Sequence, residues 1–373
     1  MHYFIFPDKN TTLYQESGSQ NTGLDEILEV QKELSAAGTN PKVSRALLKF
    51  DLAEISQSIV RGQISTDAKY YLNLYDANPR ELSVSQSLWA YPISQSWAEG
   101  EGFKADSPAT QAGASWNYLD DADTKTQWYG PLTGSGGTWF TDVYASQSLQ
   151  YETRDIRMDV TPIVTSWLNG TYTNEGFIVK RSGSFGNGDT NTDEGSTKRL
   201  GSLSFFSRQT NTIYPPKLEV EWYDTKWTTG SLSALPKSEL EDLQIYMKNI
   251  RPEYKEKSKA KFRLVGRGRY PTKSYSNTSS PYLTSKYLPS GSKLVNDGAY
   301  YSVVDADTKD VIIPFSTGSL ISCDSDGNYF NLWMNGLQSE RYYKFEFKVV
   351  SGSNTTEEMV NYFDDDFTFK VVR

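Results

Sequence analysis

The sequence predicts an all-β protein: an N-terminal jelly-roll β-sandwich, a short helical linker and a C-terminal immunoglobulin-like β-sandwich. Three observations carry this. Aromatics reach 14 % of 373 residues, with 25 Tyr, 17 Phe and 9 Trp, and such residues beside many Val and Thr favour strands. Short runs of alternating apolar and polar residues recur along the chain, as half-buried strands require. A polar, Gly/Ser/Pro-bearing stretch from Thr225 to Pro236 reads as a linker. It divides a chain long enough for two or three domains. The expected organisation is therefore a sandwich over 1–224, a linker with a short helix over 225–258 and a second sandwich over 259–373.

Taken in order, Ile27 to Leu34 alternates between two bounding glycines, Gly23 and Gly38, and reads as a strand. Ala46, Leu48, Phe50 and Leu52 alternate with Leu47, Lys49 and Asp51, and Leu72 and Leu74 share a face of Tyr70 to Tyr75. Ser87 to Ile93 leads into a Gly-, Ser-, Asp- and Thr-rich region, 100–150, read as long loops carrying Trp116, Trp128 and Trp139. Ile163 to Trp167 is a short helix with Pro162 in its tolerant first turn. Phe177 to Lys180, Leu203 to Phe205 and Leu218 to Trp222 close the first sandwich.

After the linker, Ser238 and Glu241 have capping-box spacing. Leu240, Leu243, Tyr246 and Met247 then form an apolar stripe, which predicts a helix from Glu239 to about Lys248. Lys261 to Val265, Tyr300 to Val304, Val311 to Phe315 and Tyr329 to Trp333 read as strands. Tyr343, Phe345, Phe347 and Val349 give the cleanest period-two pattern, which Phe367, Phe369 and Val371 repeat.

The net charge of −8 and pI near 5.0 argue against nucleic acid, whose phosphates need a basic footprint. The local cluster Arg263, Arg267, Arg269 and Lys273 reads as a solvated strand face. One cysteine, Cys323, permits no internal disulfide, and one histidine, His2, leaves no Ser-His-Asp or His-ligated metal chemistry. No stretch approaches the ~20 apolar residues of a membrane span, so no membrane is expected. Met1 to Asp8 lacks an export pattern, so synthesis and folding in a cytoplasm are expected.

Paired acids are the remaining catalytic candidates, Glu99 with Glu101 or Asp120, Asp121 and Asp123; acids in Gly-rich loops are usually just solvated. Asp324, Asp326 and Asn328 alternate as calcium ligands in a tight loop do, yet an Asp326-Gly327 hairpin turn explains them too. Asp364-Asp-Asp366 and Asp120-Asp-Ala-Asp123 raise the same question. No other cofactor is expected. Trp116, Trp128, Tyr129 and Trp139 are candidates for stacking on a sugar or a protein partner, or else for covering the loops.

Several phrases occur in order: Val43-Ser-Arg-Ala-Leu-Leu-Lys-Phe-Asp-Leu52, Gln95-Ser-Trp-Ala-Glu-Gly100, Asp159-Val-Thr-Pro-Ile-Val-Thr-Ser-Trp167, Glu175-Gly-Phe-Ile-Val-Lys180, Leu203-Ser-Phe-Phe-Ser207 and Pro215-Pro-Lys-Leu-Glu-Val220. Together they resemble the DNRLRE-domain family, β-sandwich modules related to carbohydrate-binding domains. That resemblance implies support and binding without catalysis. The whole arrangement, with Tyr329-Phe-Asn-Leu-Trp-Met-Asn-Gly336 and Asp364-Asp-Asp-Phe-Thr-Phe-Lys370, looks like structural proteins of large tailed bacteriophages. It implies a place in a virion (neck, tail, baseplate or capsid decoration). The expected partners are other virion proteins and further copies in a symmetric assembly. The alternative is a module that contacts host surface glycans.

Overall fold

The computed structural model describes residues 1–34, 41–78, 86–122, 125–129, 136–149, 155–183, 192–248, 250–270, 286–291, 297–352 and 358–373. It is an all-β, β-sandwich-like structure of several sheets with short helices. Two compact units result. One comprises Phe4–Ile64 and Lys69–Val220, the other Met1–Tyr3, Ser65–Ala68 and Glu221–Arg373. Among the described residues, no helix is long and apolar enough to cross a membrane.

A four-stranded sheet runs in the order His2–Ile5, Lys217–Glu221, Lys69–Leu74, Ile156–Asp159; of it, Phe4–Ile5, Lys217–Val220, Lys69–Leu74 and Ile156–Asp159 belong to the first unit. A larger sheet runs Gly201–Phe206, Ile27–Leu34, Pro41–Lys49, Phe177–Lys180, Gln86–Pro92, Ala145–Leu149, with Lys9–Tyr14 also paired to Pro41–Lys49. The register places Phe177 opposite Leu48 and Val179 opposite Ala46 on one face. There Phe177 packs on Phe50 and on Trp167, from the helix Thr161–Leu168.

On the opposite face, Ile178 lies opposite Leu47 and Tyr91. This face is covered too: Leu13, Val43, Leu47, Ile93 and Ile178 form one buried cluster with Trp97, Ala114, Trp116 and Trp128. The half-buried strand expected from Ala46/Leu47 alternation is thus buried on both sides. The cause is the long connection after Ile93, which lies over the sheet as a third layer.

The second unit builds its core from aromatic rings carried by two sheets. The first contains Ser233–Ala234, Lys286–Tyr287, Lys259–Gly268, Gly327–Trp333 and Ser322–Asp324, with Leu243–Lys248 paired to Lys259–Gly268. The second contains Glu253–Lys255, Thr368–Val372, Tyr342–Ser351, Gly298–Asp305 and Val311–Ile313, with Met359–Phe363 paired to Tyr342–Ser351. Phe262 and Phe330 of the first sheet meet Phe345 and Tyr301 of the second, with centroids 4.7 Å apart for Phe262–Phe345 and 4.3 Å for Tyr301–Phe330. Edge-to-face and offset contacts of this kind add to the area each ring buries.

Three sequence expectations need correction. The helix expected to about Lys248 is a single turn, Lys237–Glu241, with no side-chain cap. Leu243–Lys248 is a strand whose register with Lys259–Gly268 is unbroken. Leu243, Ile245 and Met247 alternate with Gln244, Tyr246 and Lys248, so period two describes this run as well as 3.6 does, and ladder hydrogen bonds decide it. The segment read as a linker therefore supplies strands to both sheets of the second unit. The helix Ala53–Val60 went unforeseen; Asp51 opens it by accepting the Ala53 N–H at 2.9 Å.

Gly176 explains the Gly-hydrophobic step at the head of the Phe177 strand. Its φ is +95°, and a Cβ there would sit 2.3 Å from the Leu48 carbonyl oxygen. Gly176→Ala is expected to cost at least about 2 kcal/mol, measured by urea denaturation. Lys217 is buried, its Nζ 5.6 Å from the Tyr75 centroid and 5.9 Å from those of Phe4 and Phe6. Burial brings its amine down to about 8, against a smaller opposing pull from Glu219. The unfolded chain holds this proton to about pH 10.5, so unfolding takes up a proton across pH 8–10.5. The Lys217 contribution to stability therefore rises with pH through that window and is least favourable, and constant, below it. Lys217→Met is expected to gain about 2 kcal/mol at pH 7. The gain over wild type should shrink at pH 10, as read by denaturation at both pH values.

Candidate functional site

The larger sheet of the first unit carries a buried ion cluster under its third layer. Arg45 donates from Nε to Glu194 Oε1 at 3.2 Å and from Nη2 to Oε2 at 2.5 Å, while its Nη1 donates to the Gly136 carbonyl at 2.6 Å. Lys180 Nζ lies 3.4 Å from Glu194, and Lys32 Nζ donates to the Glu194 backbone carbonyl at 2.9 Å. Burial brings the Lys180 amine down to about 8 although Glu194 pulls it up. The Arg45 guanidinium lies 4.7 Å from the Trp116 ring and 5.0 Å from Trp139, within cation–π range.

This geometry decides the tryptophan candidates. Trp116 and Trp128 are 4 % exposed, and Trp128 Nε1 donates to the Ser115 carbonyl. Both are packing residues, and their ring faces are closed to a sugar or partner. Trp139 is half-buried against Arg45 and Lys180. Tyr129 alone of the four stands out, 84 % exposed. Sequence reasoning missed a second aromatic group on the same sheet face. Trp89 and Tyr91 alternate along Gln86–Pro92, and half-exposed Tyr144 lies 5.0 Å from Trp89 and 6.0 Å from Tyr91. The period-two spacing of Trp89 and Tyr91 was the available signal.

The acid candidates are largely held by partners of the chain itself. Asp324 accepts from Arg263 Nη1 and Nη2 at 2.8 and 3.0 Å and from Lys261 at 2.7 Å, and Arg263 also reaches Asp326 at 3.2 Å. The Arg263 hydrogen bonds hold the Asp324 carboxyl well below the ordinary range. Asn328 is buried; its amide oxygen accepts the Leu288 N–H and its nitrogen donates to the Lys286 carbonyl. Asp324, Asp326 and Asn328, the candidate calcium ligands, each have a side-chain oxygen hydrogen-bonded to a protein donor. Asp364 pairs with Lys344, whereas Asp366 is almost fully exposed and 3.9 Å from the same ammonium.

Glu99 accepts from Arg208 at 2.8 Å and from the Asn10 N–H at 2.9 Å, whereas Glu101 is exposed. Asp121 is buried, with Lys125 Nζ 3.8 Å away; Asp123 and Lys273 lie outside the described residues.

An open cleft of about 670 Å³ lies in the first unit. The strands Lys9–Tyr14 and Ile27–Leu34 supply Tyr14 and Glu29, and the loops bring Asp25, Glu26, Phe103 and Lys104. Glu29 Oε2 accepts the Tyr14 hydroxyl at 2.9 Å and the Lys104 ammonium at 2.6 Å, and that ammonium lies 4.4 Å from the Tyr14 ring centroid. Asp25 receives the Lys104 backbone N–H on both oxygens. Burial raises the Asp25 carboxyl pKa, with Glu29 and Asp106 adding to the rise, while Lys104 opposes it. Burial, then Glu29, pushes the Tyr14 hydroxyl upward, so it donates throughout the physiological range. In the sequence these residues carry no motif; strand register and loop placement bring them together.

Fold and site together define a β-sandwich-like protein with a shallow cleft lined by acidic and aromatic residues. No family model matches the chain, and no curated protein does. Among solved structures, a DUF4785 family protein from Legionella pneumophila subsp. pneumophila aligns with 98 % of this chain at 10 % identity and a TM-score of 0.19. This chain spans 65 % of that protein's length. At that score the likeness carries no argument.

The ion cluster makes a direct prediction. Glu194→Gln leaves Arg45 charged, buried and without a carboxylate, and is expected to cost about 3–5 kcal/mol. The double variant Arg45→Met/Glu194→Gln should recover part of that loss. Chemical denaturation of the three variants measures it.

Proposed function

We propose that the chain is a non-enzymatic structural protein of a tailed-bacteriophage virion. As a neck, tail or baseplate component it docks on neighbouring virion proteins through its β-sandwich domains, in several symmetric copies. One observation supports the non-enzymatic reading: of the paired-acid candidates, Glu99 is engaged by Arg208 and by the Asn10 N–H, and Asp121 is buried beside Lys125. The virion assignment rests on the ordered phrases from Val43 to Val220 and on the two C-terminal ones. The net charge of −8 supports a position outside the DNA-filled head. A jelly roll for the first unit and an immunoglobulin-like sandwich for the second belong to the same proposal.

A second reading, contact with host surface glycans, is favoured by the partly exposed rings of Trp89, Tyr91 and Tyr144 on one sheet face. Mass spectrometry and cross-linking of purified phage particles test the two. The chain is expected in the particle at a fixed copy number, cross-linked to structural proteins. Absence from particles, together with a glycan-array signal that Trp89→Ala and Tyr144→Ala abolish, would transfer the assignment to the second reading.

A further inference from the structure

The open cleft contains a cation of its own, and that cation indicates what the cleft accepts. Asp25, Glu26 and Glu29 bring three carboxylates to its wall, while Lys104 is the single basic residue among the described lining residues. The local balance is therefore negative. Lys104 sits where an ammonium is best held, hydrogen-bonded to Glu29 at 2.6 Å with the Tyr14 ring 4.4 Å away. A carboxylate and an aromatic face acting on one ammonium combine charge-assisted hydrogen bonding with cation–π attraction. Yet Lys104 is 47 % exposed, and an ion pair open to solvent contributes at most about 1 kcal/mol, so a competing cation displaces it at little cost. Phe103 is 43 % exposed beside it and offers apolar surface for an aliphatic stem.

We propose that this cleft is a docking site for a lysine side chain of a neighbouring protein, which takes the place of Lys104 between Tyr14 and Glu29. The inference rests on the docking role proposed above and names the chemistry of the partner. Charge complementarity selects the occupant: two carboxylates remain in excess over Lys104, and an incoming ammonium neutralises one of them. Lys104 then acts as an internal competitor that keeps the cleft filled until the partner arrives.

The experiment uses the full chain, labelled with ¹⁵N, and N-acetyl-lysine methylamide as probe, with N-acetyl-norleucine methylamide as the uncharged control. The lysine probe is expected to shift the amide resonances of Tyr14, Glu29 and Phe103, and the control to leave them in place. Lys104→Met should tighten lysine binding several-fold by removing the competitor. Glu29→Gln should abolish it with the thermal unfolding midpoint otherwise preserved, and Glu26→Gln, on an exposed side chain, should weaken it. Equal binding of both probes, or an affinity unchanged by Lys104→Met, overturns the proposal. So does binding of spermidine or glucosamine in the absence of lysine binding, which would make the cleft a small-molecule site. The two proposals fail separately. Lys104 and Glu29 variants that enter particles normally would sink the docking cleft alone, whereas a chain absent from particles would sink the virion role and leave the lysine result standing.

Discussion

The buried pair between Arg45 and Glu194 is the constraint on which the first unit is organised. Arg45 belongs to the central Pro41–Lys49 strand, and Glu194 to a loop almost 150 residues further along. The bidentate contact fixes that loop against the sheet, and the Arg45 bond to the Gly136 carbonyl fixes a second one. Trp116 and Trp139 close over the guanidinium. Burying charge in this way carries a large desolvation cost. What it secures is position: one side chain ties two long connections to the sheet. Lys180 and Lys32 add cations around the same glutamate, which makes the cluster sensitive to any change in its one central carboxylate.

Both faces of the sheet's central strands, Pro41–Lys49 and Phe177–Lys180, are consequently interior. One rests on Phe50, Phe177 and Trp167, the other under Trp97, Trp116 and Trp128. The tryptophans that look like binding residues in a Gly- and Ser-rich stretch are the roof of this second core. Exposed aromatic surface lies elsewhere: around Trp89 and Tyr144, at Tyr129, and in the cleft between Tyr14 and Phe103. The second unit has no comparable buried ion cluster among its described residues. Its two sheets are joined by stacked and edge-on phenylalanines, and its charged groups, such as Arg263 with Asp324, pair at the partly exposed rim.

Much of the fold was legible. Strands at Ile27–Leu34, Phe177–Lys180, Tyr342–Ser351 and Thr368–Val372 stand where alternation put them, and the helix Thr161–Leu168 follows its first-turn proline. Leu243–Lys248 misled because its apolar residues satisfy a helical stripe and a period-two strand together. Only pairing with Lys259–Gly268 separates the two. The candidate site was far less legible. Asp324, Asp326 and Asn328 are placed as metal ligands are in sequence, but Arg263 and Lys261 reach the carboxylates from Lys259–Gly268, one strand beyond Gly327–Trp333. Tyr14, Glu29 and Lys104 lie far apart along the chain, and nothing local announces their meeting.

The sequence by itself determined the strand-rich class and the aromatic character of the cores. Those properties follow from side-chain shape and from short-range periodicity, which need no partner to be expressed. Tertiary structure alone decided which tryptophans are buried, which acids are neutralised and where an open cleft remains. Each of these depends on groups distant in sequence meeting across sheets and loops. Desolvation and ion pairing are properties of that meeting, and no single segment contains them.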